Sequence, residues 1–235
     1  PMIDALNALF ARLQAARVRE QHLTASAAHE LKTPLAGLKT QAQIALAADD
    51  PKLRQAALDQ IVLSVDRAGR LVGQLLEMAR RDAEAASPPP AIWLALDPMI
   101  AQLAAELRPL AESRKVQLNL EPSQAELQVS PELLRAMLRN LLENALQYAA
   151  SKVTVRLAQG PQTCRLIIED DGPGVSDDEL PRLRERFFRG RGHNDVGSGL
   201  GLSIVDLAAV QSGFVLLVEP GTAAGLRAIV EIPPA

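Results

Sequence analysis

A histidine, a glutamate and a threonine stand close together in a stretch with helical apolar spacing. His29, Glu30 and Thr33 belong to the run His-Glu-Leu-Lys-Thr-Pro-Leu at 29–35. Residues four apart share a helix face, so His29 and Thr33 are neighbours with Glu30 beside the imidazole. A carboxylate that takes the proton from one ring nitrogen makes the other nitrogen more nucleophilic. The pattern favours phosphoryl transfer, although a lone helical histidine is more often a solvated surface residue.

The residues around His29 also argue against a zinc site. Pro34 lacks a backbone N–H and crowds the carbonyl four residues earlier, so we expect a bend in the helix beside the reactive residue. A zinc metalloprotease needs a second histidine at position 33, where this chain has threonine. The remaining histidines, His22 and His193, and the single Cys164 are isolated, so we expect neither structural zinc nor an internal disulfide.

Two glycine-rich runs form a second constellation. Asp170, Gly172 and Gly174 lie in Asp-Asp-Gly-Pro-Gly at 170–174, after a predicted strand, and Gly-Ser-Gly-Leu-Gly-Leu at 197–202 opens a predicted helix. Glycine lets backbone amides approach a polyanion, and a helix N-terminus presents unpaired amides and a partial positive charge. Phosphates should therefore bind at 199–202. Neither the P-loop nor the dinucleotide glycine pattern matches, and one glycine cluster alone is more often a turn.

Asn140 and Asn144 lie four residues apart on a helix predicted to follow Ser130-Pro131, so we expect their amides to face the same way. Mg²⁺ keeps several waters and binds few protein oxygens together with substrate phosphates, which suits amide carbonyls beside a triphosphate. The alternative is that both are polar surface positions on an amphipathic helix.

Composition limits the function classes. The chain has 235 residues, 48% of them hydrophobic, which is enough for one large core or two small ones. A formal net charge of −3 with interspersed basic residues argues against direct nucleic-acid binding. No apolar stretch approaches the ~20 residues that cross a bilayer, and no signal peptide opens the chain. We expect a cytoplasmic piece of a longer, membrane-anchored protein.

Apolar periodicity predicts two long helices, at 3–47 and at about 53–81, joined by a turn at Asp49-Asp50-Pro51. Such a hairpin cannot cover its own apolar seam, so we expect a homodimer with a four-helix bundle. A coiled stalk without chemistry is the alternative. A small, acidic and proline-rich stretch at 83–90 predicts a domain boundary.

Beyond that boundary strands and helices mix, and the pattern predicts an α/β sandwich. The predicted strands are 92–96, 116–120, 126–129, 153–158, 164–169, 214–219 and 227–232, and the predicted helices are 97–113, 131–149 and 199–211.

These motifs resemble the sensor histidine kinases of two-component signalling over nearly the whole chain. Five motifs occur in the family's order: an H box at 29–35, an N box at 140–145, a G1 box at 170–174, part of an F box at 186–189 and a G2 box at 197–202. Residues 26–31 look like the subgroup of the quorum-sensing and polymyxin-resistance sensor kinases.

The resemblance implies a domain plan. Residues 1–19 would end a signal-relay linker, 20–84 would form the dimerisation and phosphoacceptor domain, and 85–91 would be a hinge. Residues 92–235 would form an ATP-binding α/β sandwich of the gyrase, chaperone and histidine kinase type. The expected partners are a second copy and the receiver domain of a response regulator, and the expected location is the cytoplasmic side of a bacterial inner membrane.

The same resemblance implies residue roles. His29 would accept the phosphoryl group, Glu30 would activate it, and Thr33 would position water when a regulator is dephosphorylated. For ATP, Asp170 would accept the adenine amino hydrogen, Tyr148 would line the base pocket, and Asn144 with Asn140 would hold Mg²⁺. Residues 188–196 resemble a mobile ATP lid. The remaining nucleotide-binding residues would be Gly172, Gly174, Arg189, Gly197, Gly199, Leu200, Gly201 and Leu202.

Three positions depart from the family pattern, and two rival readings stay open. Gln147 replaces a frequent lysine, Arg184 replaces an aromatic residue, and Leu226 replaces a small hydroxyl residue. Gln147 and Arg184 motivate a non-catalytic dimeric scaffold with a decayed nucleotide pocket. The second rival is an ATP-hydrolysing clamp of the same fold, but that class has glutamate at the position of Asn140 and lacks the His29 helix.

Overall fold

The structure is a computed structural model, and it describes residues 31–84, 89–121, 126–160, 163–190, 199–222 and 224–233. The chain divides into two compact units, Pro1–Glu77 and Met78–Ala235. His29, Glu30 and the predicted linker 1–19 lie outside the described residues, as does most of the predicted hinge 85–91. The bounds of the four predicted segments therefore stay predictions.

Two helices make up the described part of the first unit. Helix α1 covers residues 31–47 of the described chain, and helix α2 covers Pro51–Glu84. The turn between them is held by Asp50, whose Oδ1 accepts a hydrogen bond from the backbone N–H of Lys52 at 2.9 Å, and by Arg54, which donates to the Ala48 carbonyl at 2.7 Å. Pro51 stands at the first helical position, where its missing N–H costs nothing. The predicted hairpin is confirmed over these residues.

Large apolar side chains remain exposed along this hairpin. Leu46 is 88% exposed and Leu76 is 66% exposed, whereas Ala48 and Ala57 are buried. A monomeric soluble helix pair rarely leaves so much apolar surface in water. The full set of exposed large apolar residues here is Leu35, Ile44, Leu46, Leu53, Leu58, Val62, Leu63, Val65, Val72 and Leu76.

The second unit is built on a five-stranded sheet in the order β2-β4-β5-β7-β6, with a separate two-stranded sheet that pairs β1 with β3. All neighbouring strands are antiparallel except β2 and β4, which are parallel. The strands are β1 Ile92–Ala95, β2 Gln117–Glu121, β3 Glu126–Val129, β4 Lys152–Gln159, β5 Cys164–Asp170, β6 Val215–Pro220 and β7 Leu226–Ile232. The helices are α3 Leu96–Arg114, α4 Pro131–Tyr148 and α5 Gly201–Ser212, with a 3₁₀ turn at Leu180–Arg182.

One core joins the inner face of the large sheet to the three helices. Because strand residues alternate between faces, every second residue of β4, β5 and β7 enters this core. Leu138, Leu142 and Leu146 of α4 are fully buried in it, together with Leu166 and Val230 of the sheet. Helix α4 begins as predicted, with Ser130 accepting from the Leu133 N–H at 3.4 Å and Pro131 at the first position. The predicted α/β sandwich is confirmed.

Element ends differ from the predicted ones by one to three residues, and two differences have a local cause. Leu96 opens α3 instead of ending β1, because its fully buried side chain belongs to the helical core face. Helix α5 begins at Gly201 rather than at 199, since Gly199 has φ +69, a left-handed value that a right-handed helix excludes. Among the described residues, no helix has the length and apolar content needed to span a membrane.

The core predicts a sharp contrast between two substitutions. Leu142→Ala, at a fully buried position, should lower the free energy of unfolding of the second unit by about 3 kcal/mol, because it removes methyl groups and leaves a cavity. Val210→Ala, at a position that is 70% exposed on α5, should change it by less than about 0.5 kcal/mol. Native-state hydrogen exchange of the β5 amides reports this unit alone. Equal effects from the two variants would contradict the assigned core.

Candidate functional site

The site is centred on a buried carboxylate at the end of β5. Asp170 is 6% exposed and pairs across the sheet with Val153, so it lies on the inner, helix-covered face. Its Oδ1 accepts hydrogen bonds from the Gly172 N–H at 2.9 Å and the Leu226 N–H at 3.4 Å. Among the described residues nothing donates to Oδ2. Burial, with the neighbouring charges of Asp171 and Glu169 adding to it, raises the pKa of Asp170.

Three glycines allow the backbone to close around this carboxylate. A Cβ on Gly172 would overlap the Tyr148 carbonyl oxygen and lie 2.8 Å from Asp170 Oδ1. A Cβ on Gly225, at φ +79, would overlap the Asp170 carbonyl oxygen, and one on Gly174, at φ +70, would lie 3.0 Å from the Gly225 carbonyl oxygen. The structure thus places Tyr148 and Gly172 beside Asp170 and links Gly174 to it through Gly225. It adds Gly225, which the pattern did not single out.

Asp171 has a structural role that sequence reasoning missed. Its Oδ1 accepts hydrogen bonds from the backbone N–H groups of Ala150, Ser151 and Lys152, each at 2.9 Å, and its Oδ2 accepts from the Ser151 hydroxyl. Although its slight burial alone would raise the pKa, these bonds hold the pKa of Asp171 at about 2. The carboxylate therefore fixes the turn between α4 and β4, directly after Tyr148.

A polar stripe on α4 borders the site. Asn140, Asn144 and Tyr148 recur every four residues and are half-buried, in contrast to the fully buried leucines between them. The Asn140 Nδ2 donates to the Ala136 carbonyl at 2.9 Å, which leaves its Oδ1 3.7 Å from the point where a Cβ on Gly201 would sit. Within the described part of the chain, the Asn144 side chain makes no hydrogen bond. Its amide oxygen is therefore available to a ligand.

Helix α5 begins beside this stripe, since α4 and α5 pack together. Leu200 caps the helix and is fully buried, and the buried Ser203 donates from its hydroxyl to the Leu200 carbonyl at 2.8 Å. Leu200 and Leu202 are thus both buried at the start of the helix. Gly197 lies outside the described residues.

Phe187 and Gly199 are in direct contact just before α5. The Phe187 N–H donates to the Gly199 carbonyl at 2.9 Å, and Phe187 has φ 64, a left-handed value that is uncommon for a bulky residue. A Cβ on Gly199 would come within 2.7 Å of the Phe187 carbonyl carbon, so only glycine fits. Residues 191–198, most of the predicted ATP lid, lie outside the described residues. Arg189 is half-buried and makes interactions of its own.

Arg184, which departs from the expected aromatic residue, is bonded in this structure. One guanidinium nitrogen lies 3.5 Å from Asp206 Oδ1 of α5 and 3.5 Å from the Leu216 carbonyl of β6. The packing of this region on α5 therefore uses a polar contact in place of a ring.

The predicted reactive histidine is near the first described residues of α1. His29 and Glu30 lie outside the described residues, so the predicted bend beside them stays a prediction. Thr33, four residues after His29, is exposed on α1, and Pro34 lies within the helix.

Two family models match the chain. Residues 19–84 match the His Kinase A (phospho-acceptor) domain, and residues 129–235 match the histidine kinase-, DNA gyrase B-, and HSP90-like ATPase family. Together the matches span more than half of the sequence. The chain belongs to the sensor histidine kinase family. The ATPase-type domain of this histidine kinase supports the use of ATP.

Individual relatives agree with the family. The kinase is 38% identical to Sensor protein QseC of Escherichia coli K12 over 91% of this chain and 47% of that protein. It is also 38% identical to Sensor protein kinase PmrB of Pseudomonas aeruginosa over 87% of this chain and 43% of that protein. These two relatives confirm the predicted subgroup. The chain spans about half the length of the curated relatives it matches.

A solved structure shares the fold. The Acinetobacter baumannii histidine kinase AdeS has a TM-score of 0.68 to this kinase, with 19% identity, and the likeness covers 87% of this chain and 97% of that one. At that identity the likeness supports the fold alone.

The Asp171 geometry predicts a pH-dependent loss of stability. Asp171→Asn should destabilise the second unit by about 2 kcal/mol at neutral pH, because it weakens four hydrogen bonds to a charged acceptor. The folded-state pKa of about 2 lies below the ordinary aspartate pKa of 3.8, so the wild-type advantage is complete above pH 3.8 and disappears as pH falls towards 2. Urea unfolding of both proteins between pH 6 and pH 2 measures it. Other titrating groups cancel in the difference, and an advantage that persisted at pH 2 would contradict this role.

Proposed function

We propose that this chain phosphorylates itself on His29 with ATP and then passes the phosphoryl group to an aspartate in the receiver domain of a response regulator. The observation that carries the proposal is the Asp170 site: a buried carboxylate with one free oxygen, enclosed by glycines and joined through α4 to the start of α5. The match of residues 19–84 to the phospho-acceptor family supports the other part of the proposal, in which His29 receives the phosphoryl group.

Adenine recognition falls to Asp170 in this proposal. Its Oδ1 is occupied by two backbone N–H groups, so Oδ2 remains to accept a hydrogen bond from the adenine amino group. Guanine carries a carbonyl at the same ring position, and two acceptors facing each other in a buried site repel. The half-buried Tyr148 lines the base pocket, because its backbone touches Gly172.

The phosphates bind at the start of α5, with Gly199, Leu200, Gly201 and Leu202 offering backbone N–H groups to the anion. Gly174 and the undescribed Gly197 complete the glycine lining, and Arg189 reaches the γ-phosphate. Mg²⁺ fits the polar stripe, since Asn144 has an amide oxygen that no described residue uses and Asn140 directs its own towards Gly201. The ion, when bound, neutralises charge on the phosphates, and water completes its shell.

The phosphoacceptor chemistry uses the three residues of the first motif. Glu30 takes the proton from one nitrogen of His29, and the other nitrogen attacks the γ-phosphorus, whose bond to the β,γ-bridging oxygen breaks so that ADP leaves. Thr33, which carries a hydroxyl, is exposed on α1. In the reverse role, that hydroxyl orients the water that dephosphorylates the regulator.

The exposed apolar side chains of the hairpin support a homodimer. Two copies of α1 and α2 bury this surface in a four-helix bundle, the usual solution for an uncovered helical seam. Because the matched relatives are about twice as long, we also propose a membrane anchor outside this chain, with the kinase on the cytoplasmic side. The clamp-type hydrolase is disfavoured, since Asn140 offers no carboxylate to activate water.

The proposal predicts that His29→Ala abolishes incorporation of γ-labelled phosphate and leaves ATP affinity unchanged, because the imidazole accepts the group and takes no part in nucleotide binding. Label on wild type should survive base and be lost in acid, as a phosphoramidate is. His22→Ala and His193→Ala, which alter the chain's two other histidines, serve as controls and should keep the ability to be labelled. Acid-labile label on the His29 variant would exclude this assignment.

A second prediction concerns the base pocket. Asp170→Asn should weaken ATP binding at least ~10-fold, because it replaces a buried acceptor with a group that presents an N–H to the pocket. Calorimetric titration with ATP measures the change. Asp177→Asn makes the same change of charge at an exposed position of the following loop and should leave the affinity within twofold of wild type. Similar losses from both variants would point to overall charge rather than to a specific contact.

A further inference from the structure

The outer face of the sheet carries an ionic row directly behind Asp170. Successive strand residues point to opposite faces, so Glu169 faces outwards where Asp170 faces inwards. The strand register places Glu169 of β5 opposite Arg227 of β7, and Arg227 opposite Glu219 of β6. The Arg227 side chain is only 15% exposed, and that of Glu169 18%. The Glu169–Arg227 pair is therefore much less hydrated than an ordinary surface ion pair, whereas the Glu219 side chain is 44% exposed.

Glu169 uses its two carboxylate oxygens for different partners. Oε2 accepts two hydrogen bonds from Arg227, at 3.1 Å from Nε and 3.0 Å from Nη2, while Arg227 Nη1 reaches Glu219 Oε1 at 3.1 Å. Oε1 accepts from the Thr222 backbone N–H at 2.6 Å and from the Thr222 hydroxyl. Partial burial would raise the pKa of Glu169, but the bonds from Thr222 and Arg227 hold it below its usual value. The carboxylate is therefore a charged anchor for Thr222.

Thr222 belongs to the turn that touches the inner carboxylate. The turn between β6 and β7 is closed by a hydrogen bond from the Gly221 N–H to the Gly225 carbonyl at 3.0 Å. At its other end Gly225 packs on the Asp170 backbone, and the Leu226 N–H donates to Asp170 Oδ1 at 3.4 Å. The turn between β6 and β7 thus contacts Glu169 on the outer face of the sheet and Asp170 on the inner face.

We propose that Glu169, Thr222 and Arg227 form an outer clasp that positions the 221–225 turn and, through it, the Asp170 carboxylate for adenine recognition. The inference rests on the proposed function. These three are positioning residues, since they lie on the face of the sheet opposite to the pocket. When the outer clasp is broken, Gly225 and Leu226 can move. The Leu226 N–H then no longer holds Asp170 Oδ1 in place, and the direction in which Oδ2 points changes.

The chain offers a matched control on the same face of the same two strands. Arg165 of β5 pairs with Glu231 of β7 in register, with Arg165 Nη2 2.7 Å from Glu231 Oε1. This pair lies at the other end of the strands, and its side chains are 53% and 24% exposed. It resembles the clasp in residue types and strands but has no bond to the 221–225 turn.

The experiment compares ATP and GTP binding with thermal stability in the full chain. Thr222→Val removes the hydroxyl at nearly constant volume, and Glu169→Gln removes the charge that grips the turn. Each should raise the Kd for ATP about 10-fold, as expected for one or two lost hydrogen bonds to a charged group, and should reduce discrimination against GTP. Thr222→Ser, which keeps the hydroxyl, and Glu231→Gln, which breaks the control pair, should stay within about twofold of wild type.

Each outcome decides the inference. Wild-type ATP affinity and selectivity in Thr222→Val and Glu169→Gln, with or without a lower Tm, would show that the clasp only stabilises the sheet and overturn the positioning role. An equal loss of ATP affinity in Glu231→Gln would also overturn it, because breaking any ion pair on the outer face of the sheet would then weaken ATP binding. If the wild-type chain itself bound no ATP, the proposed function would fail, which is distinguishable from a clasp that fails in an ATP-binding protein.

Discussion

The second unit depends on one close approach, the meeting of three backbone segments around a desolvated carboxylate. Asp170 can be buried because backbone N–H groups of Gly172 and Leu226 donate to it, and those donors reach it only where no Cβ intervenes. The glycines of the site thus have steric and electrostatic roles at once. A methyl group at Gly172 or Gly225 would separate the segments and leave the carboxylate without its donors.

Two adjacent aspartates illustrate how the environment decides the role of a residue type. Asp170 is buried with two donors on one oxygen, so burial raises its pKa, whereas Asp171 is partly exposed with four donors, and its pKa falls to about 2. Among the described residues, nothing donates to Asp170 Oδ2, whereas both oxygens of Asp171 accept hydrogen bonds from the turn after α4. Glu169 adds a third carboxylate on the opposite face. Three successive acids therefore serve the outer clasp, the pocket and the turn.

Local sequence signals predicted what depends on local structure. The Ser130-Pro131 cap, the amphipathic α4 and the alternation in β4 and β5 need only the periodicity of one element, and all were confirmed. The glycine run at 170–174 lies at Asp170, while the binding roles predicted for it and for the run at 197–202 stay predictions. Gly225 and the partners of Asp171 were missed because their roles depend on contacts with residues that are distant in sequence. The Glu169–Arg227 contact joins strands 58 residues apart in sequence, and only the register reveals it.

The spacing along α4 links the two ends of the site. Asn140 and Tyr148 are eight residues apart, so they are separated by about 12 Å along the helix axis. A ligand that contacts both must extend over about that distance. The spacing is rigid because Leu138, Leu142 and Leu146 are fully buried on the other side of the helix. A slip of one residue would rotate the stripe by about 100° and bury the amides among leucines. The apolar stripe that folds the domain therefore also fixes the distance between Asn140 and Tyr148, so the proposed positioning of base and phosphates begins with core packing.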